Sequence, residues 1–282
     1  MIRADRDDQD GLRDVSSTPW DVVIDLATHP EHVQRQVRDL QARHRIFVST
    51  MNVCDLTGRF EPDESAPTVA PLEGARMQSQ ADYGAAKAAC EKLLQEADSE
   101  CTIIRPGLLG GAGDQTGRSG YYPWRFAHPT GEDVIMPDLT WSVSVLDVED
   151  LAAWILVCAQ SRIRGTFHAG GMTTTLADVA SASRKVAGSS AAARAVPADE
   201  LLSQGISPWA GPTSLPLWTG EEHFRHAATV DSSSARALGL RNRPLEQTLA
   251  SALSYEEHRS APRRCGLADE EERDLRRRLD AR

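Results

Sequence analysis

Tyr83 and Lys87 stand four residues apart in the run Tyr83-Gly84-Ala85-Ala86-Lys87, a spacing that a helix turns into neighbours on one side, one turn apart. Helix is what the next residues predict, because Ala86, Cys90, Leu93, Leu94 and Ala97 recur as one buried stripe. A phenol and an ammonium would then share the rim of a core. A phenol ordinarily loses its proton near pH ~10, and a positive charge beside it favours the phenolate. The spacing therefore predicts a Tyr83 that Lys87 brings toward neutrality, able to pass a proton. The same pair also arises by chance on amphipathic helices, so the surrounding elements must carry the case.

Those elements alternate. Residues 20–27 are short, β-branched and apolar on both faces, as a central parallel strand should be. Pro30 opens a helix with Val33, Val37 and Leu40 on one face. Residues 45–50 form the next strand and end in the hydroxyls of Ser49 and Thr50. A loop rich in Pro, Glu and Ser follows from about Asp55 to Gln80, long enough to suggest function or mobility. The Tyr83 helix comes next, then a strand at 101–105. Such alternation predicts an α/β protein with a parallel sheet covered on both faces and its ligands beyond the carboxyl ends of the strands. Ala27 and Thr28, Ser49 and Thr50, and Pro106 and Gly107 lie at those ends and are expected to converge on one cleft.

Further on, the glycines of 107–114 lack the GxGxxG order and are expected to form a flexible cleft-lining loop. Tyr121, Tyr122 and Trp124 are expected to pack this region. Short strands are expected at 134–137 and 143–145, and an apolar helix through Trp154 and Cys158 opens at Asp147. After a strand at 166–171, Thr175 is expected to cap a helix from Leu176 to about Ala187. Prolines break 197–220, which is assigned to an irregular substrate-side subdomain, with helices at 233–238 and 245–258 beyond it. The dense Glu and Arg of 268–282 predict a solvated helix. The expected organisation is a dinucleotide-binding part over 1–170, of which 106–145 is partly substrate-side, a substrate-side subdomain over 171–262, and a charged helix over 263–282.

Composition narrows the function. Of 282 residues, 41 are acidic and 31 basic, a net charge of −10, which argues against nucleic acid as a partner because phosphate binding needs basic surface. No apolar run reaches membrane-spanning length and the first residues hold no hydrophobic signal core, so no membrane partner and a cytoplasmic location are expected. Cys54, Cys90, Cys101, Cys158 and Cys265 are scattered without a CxxC pair. They predict core residues rather than disulfides or a metal site.

With Thr50 after a strand, Tyr83-Gly84-Ala85-Ala86-Lys87 on the next helix and Arg105-Pro106-Gly107 ending the strand after it, the chain resembles the extended short-chain dehydrogenase/reductases, in their NAD-dependent epimerase/dehydratase branch. Phe47-Val48-Ser49-Thr50-Met51-Asn52-Val53 resembles that family's strand-end hydroxyl motif. Val145-Leu146-Asp147-Val148-Glu149-Asp150-Leu151-Ala152 resembles its helix entry in the substrate half, and residues 231–248, ending Arg243-Pro244-Leu245-Glu246-Gln247-Thr248, its C-terminal pattern.

The resemblance implies a Rossmann-like doubly wound sheet with a smaller C-terminal substrate-side subdomain and NAD or NADP as cofactor. Tyr83 would be the general acid/base, Lys87 would hold a nicotinamide ribose and tune Tyr83, and Thr50 would hydrogen-bond the reacting oxygen. Ser49 is the neighbouring hydroxyl. Leu26, Ala27, Thr28, Pro106 and Gly107 would line the dinucleotide, and Asp5 lies where the family often has an acid near the adenine. The substrate class implied is a small hydroxyl or carbonyl compound, sugar-nucleotide-like among others, and a homo-oligomer is compatible with the family. Two features depart from the pattern. Cys54 stands where an aromatic is common, and Met1 falls about where the family's third strand ends, so the glycine-rich strand, turn and helix that hold a pyrophosphate have no counterpart before Trp20. On this basis the sheet is expected to be truncated, with Val22, Val23 and Ile24 at an edge and cofactor binding impaired. The competing expectation is a non-catalytic binding or regulatory relative that has lost the pyrophosphate site.

Overall fold

In the computed structural model, which describes residues 2–281, strand β1 (Val23–Asp25) leads into helix α1 (Pro30–Asp39). Strand β2 (Arg45–Val48) leads through the long loop into α2 (Tyr83–Ala97) and β3 (Thr102–Pro106). Next come β4 (Leu108–Gly110), α3 (Tyr121–Ala127), β5 (Asp133–Pro137), β6 (Ser142–Asp147) and α4 (Val148–Ser161), which returns the chain to β7 (Gly165–Ala169). Strand β8 (Thr173–Thr175), α5 (Leu176–Ala187), β9 (Ala192–Val196), α6 (Leu245–Glu257) and α7 (Asp269–Asp280) complete the longer elements.

Strands β1, β2, β3 and β7 pair in that order, each neighbour parallel, so the architecture is the Rossmann-like parallel α/β one expected. The two-residue side-chain period explains why both faces are apolar. Ile46 and Ile104 pack with Leu151, Trp154 and Cys158 of α4, whereas Phe47 and Ile103 pack with Val33 of α1 and with Cys90 and Leu94 of α2. A second set of strands, with β6 between β4 and β8 and with β5 parallel to β9, borders the largest apolar cluster, which includes Tyr121, Tyr122, Trp141 and Trp218. Thr175 caps α5 as expected, its hydroxyl accepting from Asp178 N while the Asp178 carboxylate accepts from Thr175 N.

Four expectations need correction. Residues 20–27 are not one central strand: Pro19 and Trp20 pair with Gln41 and Ala42, while β1 holds, among the described residues, the edge position expected for Val22, Val23 and Ile24. Ile24 and Leu26 are consequently 40% and 66% exposed. The polar N-terminal stretch lies against this strand, Arg6 holding the buried Asp25 carboxylate at 2.6 and 3.0 Å. Within 107–114, Leu108–Gly110 is strand β4, because pairing with β6 satisfies its backbone. The 197–220 stretch contains a short helix, Ala198–Ser203, and buries Leu201, Ile206, Leu215, Leu217 and Trp218 in the core. The helix at 269–280 is charged but not merely solvated, since Glu272, Leu275 and Leu279 face inward. All five cysteines are buried and free.

Candidate active site

Tyr83 is the first residue of α2, and Thr50 caps the single turn Met51–Val53 that follows β2, its hydroxyl accepting from Asn52 N at 3.2 Å. Glycine at position 84 brings these pieces together. A Cβ there would stand 2.3 Å from Asn52 O, a distance no side chain tolerates, so only glycine lets the helix start touch the turn that bears Thr50. Asp82 fixes the approach, accepting from Gln78 N at 2.8 Å and Ser79 N at 2.9 Å.

Tyr83 lines two open clefts. One, about 520 Å³, is bounded by Thr28, His29, Met77, Gln78, Ser79 and Gln80. The other, about 320 Å³, is bounded by Asn52, Val69, Gln80, Ala81, Gly84 and Ala85. Neither lining contains an acid, a lysine or an arginine. Burial raises the Tyr83 pKa above its ordinary value, and a side-chain hydrogen bond with Thr50 works in the opposite direction. The sign differs from the sequence expectation, and Lys87 explains why. Its ammonium is 2% exposed and donates to Ala27 O at 2.9 Å and Val48 O at 2.5 Å, with the Phe47 ring 4.3 Å away. The charge is thus turned toward the carboxyl ends of β1 and β2 instead of the phenol.

Burial also brings Lys87 down to about 8, against nearby Cys90, Asp25 and Glu91, which raise it. An unfolded chain keeps this proton to about 10.5, so between these values the unfolded state binds more protons and stability contributed by Lys87 rises with pH. The expected result is that wild-type protein gains up to about 3 kcal/mol relative to Lys87→Met from pH 8 to 10.5. Denaturant melts of both proteins across that window check it. The comparison cancels the buried thiols other than Cys90, which Lys87 itself lowers, and a difference that stays flat would remove the buried ammonium from the account.

The remaining sequence candidates scatter. Thr28 borders the larger cleft and Ala27 serves Lys87, while Leu26 is exposed beside them. Ser49 is turned inward and donates to Glu91 Oε1 at 2.5 Å. Pro106 is buried, and Gly107 N donates to Ala169 O at 2.8 Å, away from the residues lining either cleft. Asp5 is exposed and accepts from Asp7 N at 2.9 Å in a local turn.

Sequence reasoning missed the interior behind Thr50. Arg105 grips Glu91 in two places, Nε to Oε1 at 3.0 Å and a terminal nitrogen to Oε2 at 2.7 Å. Its other nitrogen approaches Cys54 Sγ at 3.8 Å, and Cys54 Sγ lies 3.8 Å from His168 Nε2. His168 also holds the long loop, through Nδ1 to Pro62 O at 3.0 Å and its backbone N–H to Glu64 at 3.0 Å. That loop is therefore tied down at Pro62 and Glu64. The available signal was Glu91 itself, an acid one turn after Lys87 and directly beside the apolar stripe of the helix.

The sequence matches no family model and no curated protein. Solved structures do match. A variant of UDP-glucuronic acid 4-epimerase from Bacillus cereus, in complex with NAD and a UDP-4-deoxy-4-fluoro-glucuronic acid, superposes with a TM-score of 0.64 at 14% identity, covering 91% of this chain and 81% of that one. RMD from Pseudomonas aeruginosa, complexed with NADPH, gives 0.60 at 16%, covering 92% and 89%. The UDP-Glc/GlcNAc 4-epimerase of Campylobacter jejuni gives 0.63 at 16%, covering 92% and 84%. At these identities the likeness establishes architecture, and this chain has the Rossmann-like fold that those epimerases and RMD share.

Proposed function

We propose that this protein is an NAD(P)-dependent oxidoreductase of the epimerase/dehydratase type, acting at a hydroxyl or carbonyl carbon of a small polar substrate. The observation that carries the proposal is that Tyr83, hydrogen-bonded through its side chain to Thr50, opens on clefts whose linings hold no acid, lysine or arginine, with Lys87 buried beneath. Neighbours of the same fold are complexed with NAD or NADPH and two are sugar-nucleotide epimerases, which supports this cofactor and substrate class. When bound, the nicotinamide would supply or accept hydride. Tyr83, kept protonated by burial, would give its proton to the carbonyl oxygen, and Thr50 would hold that oxygen by a hydrogen bond. An uncharged lining suits a hydroxylated or carbonyl group.

The residues fit one end of the cofactor better than the other. A lysine has three N–H donors, so Lys87 retains one beyond its two carbonyl partners for a ribose hydroxyl. The pyrophosphate finds less. Helix α1 opens at Pro30, which has no N–H, and the N–H groups of Glu31 and His32 are taken by Ala75 O and His29 O. These facts favour the second reading, a binding or regulatory relative without turnover. Titrating NADH and NADPH while following tryptophan fluorescence separates the two. Saturable binding is expected for the enzyme, and no saturable change up to millimolar cofactor would leave the second reading.

A further inference from the structure

We propose that the buried Glu91–Arg105 ion pair, together with Ser49, is a positioning device that sets where Thr50 stands relative to Tyr83. The inference rests on the reading of Tyr83 and Thr50 as reacting groups. Each member comes from a different piece of the site: Ser49 immediately precedes Thr50, Arg105 belongs to β3, and Glu91 lies on α2 two turns beyond Tyr83. Their exposures are 4%, 6% and 4% respectively.

Glu91 Oε1 takes the Ser49 hydroxyl at 2.5 Å and Arg105 Nε at 3.0 Å, and Oε2 takes the second guanidinium nitrogen at 2.7 Å. A two-pronged contact of this kind fixes orientation as well as distance. The third nitrogen of Arg105 reaches Cys54 Sγ at 3.8 Å. Cys54 directly follows the turn that Thr50 begins, so one guanidinium-carboxylate unit grips the chain on both sides of Thr50 and ties it to the Tyr83 helix. Stability alone does not call for such a pair, since apolar residues of similar volume in its place commonly fold as well or better. What apolar residues cannot supply is a directional hold on the Ser49 hydroxyl.

The test uses Glu91→Met/Arg105→Met, with Ser49→Ala as a milder variant that leaves the ion pair in place. Tyr83 is followed by fluorine NMR in protein labelled with fluorotyrosine, whose more acidic phenol titrates within the stable pH range, and Tyr83→Phe assigns its signal. In the otherwise wild-type chain, Thr50→Val is expected to raise the Tyr83 midpoint by about half a pH unit or more. In the double variant, with unfolding midpoint preserved, Thr50→Val is expected to have no effect, and turnover is expected to fall by about tenfold or more with NADH binding within about twofold. Ser49→Ala is expected to shrink the Thr50→Val effect. A folded double variant in which Thr50→Val acts as in wild type overturns the proposal. If the double variant does not fold, an undiminished Thr50→Val effect in Ser49→Ala overturns it, as does a Thr50→Val change that leaves wild-type Tyr83 unmoved. A wild-type protein that binds no cofactor and turns over no substrate sinks the functional reading alone, because the NMR coupling between Thr50 and Tyr83 is measured without either.

Discussion

Exchange of Tyr83 for Phe is expected to lower turnover of a carbonyl or alcohol substrate by about 10²-fold or more, with NAD(P)H affinity changed by less than about twofold. The ring keeps its place at the start of α2 and still lines both clefts, so binding surface is conserved and only the transferable proton is lost. The pH dependence has a definite sign. Burial holds the phenol above its ordinary pKa, so it is protonated at neutral pH and ready for carbonyl reduction, which consumes a proton. Alcohol oxidation needs the phenolate and should accelerate as pH rises toward the phenol's raised pKa. Steady-state rates followed by NADH absorbance in both directions read both effects. Equal turnover in Tyr83→Phe and wild type would take the phenol out of the chemistry.

The parallel sheet could be read from the chain because residues 46–48 and 103–104 are apolar on consecutive positions, and only a strand covered on both faces needs that. The Tyr83 and Thr50 positions were likewise local patterns. The direction of Lys87 was not, because what turns its ammonium away from Tyr83 is a pair of carbonyls from two other strands, Ala27 O and Val48 O. Ser49 and Thr50 could have been told apart. Side chains of a strand alternate, and Phe47 faces α2, so Ser49, two residues on, shares that inward side while Thr50 takes the other. Strand β9 had no such cue. Its residues Ala192-Ala193-Arg194-Ala195-Val196 have weak strand propensity and extend because β5 offers a partner along their full length.

Helix α7 carries the largest expected stability effect. Glu272→Ala should cost about 3–5 kcal/mol, because the change strands a charge rather than removing a surface acid. The Arg125 and Glu272 side chains are both 0% exposed, with Arg125 Nε 3.0 Å from Glu272 Oε2. Glu272 also accepts from Thr130 Oγ1 at 2.6 Å and Ile135 N at 3.3 Å, so truncation takes the acceptor from two donors, one of them the buried Ile135 N–H, as well as the countercharge from Arg125. Arg125 would keep Asp269 at 2.7 Å and Leu267 O at 2.6 Å, but Asp269 is half exposed and offers weaker compensation. Denaturation in urea should show the midpoint falling by about 1 M or more. Glu272→Gln, which preserves shape and the acceptor oxygen but not the charge, should lose less. If Glu272→Ala unfolds at the wild-type midpoint, the acid and guanidinium do not hold α7 against the core, and Leu275 and Leu279 must do so alone.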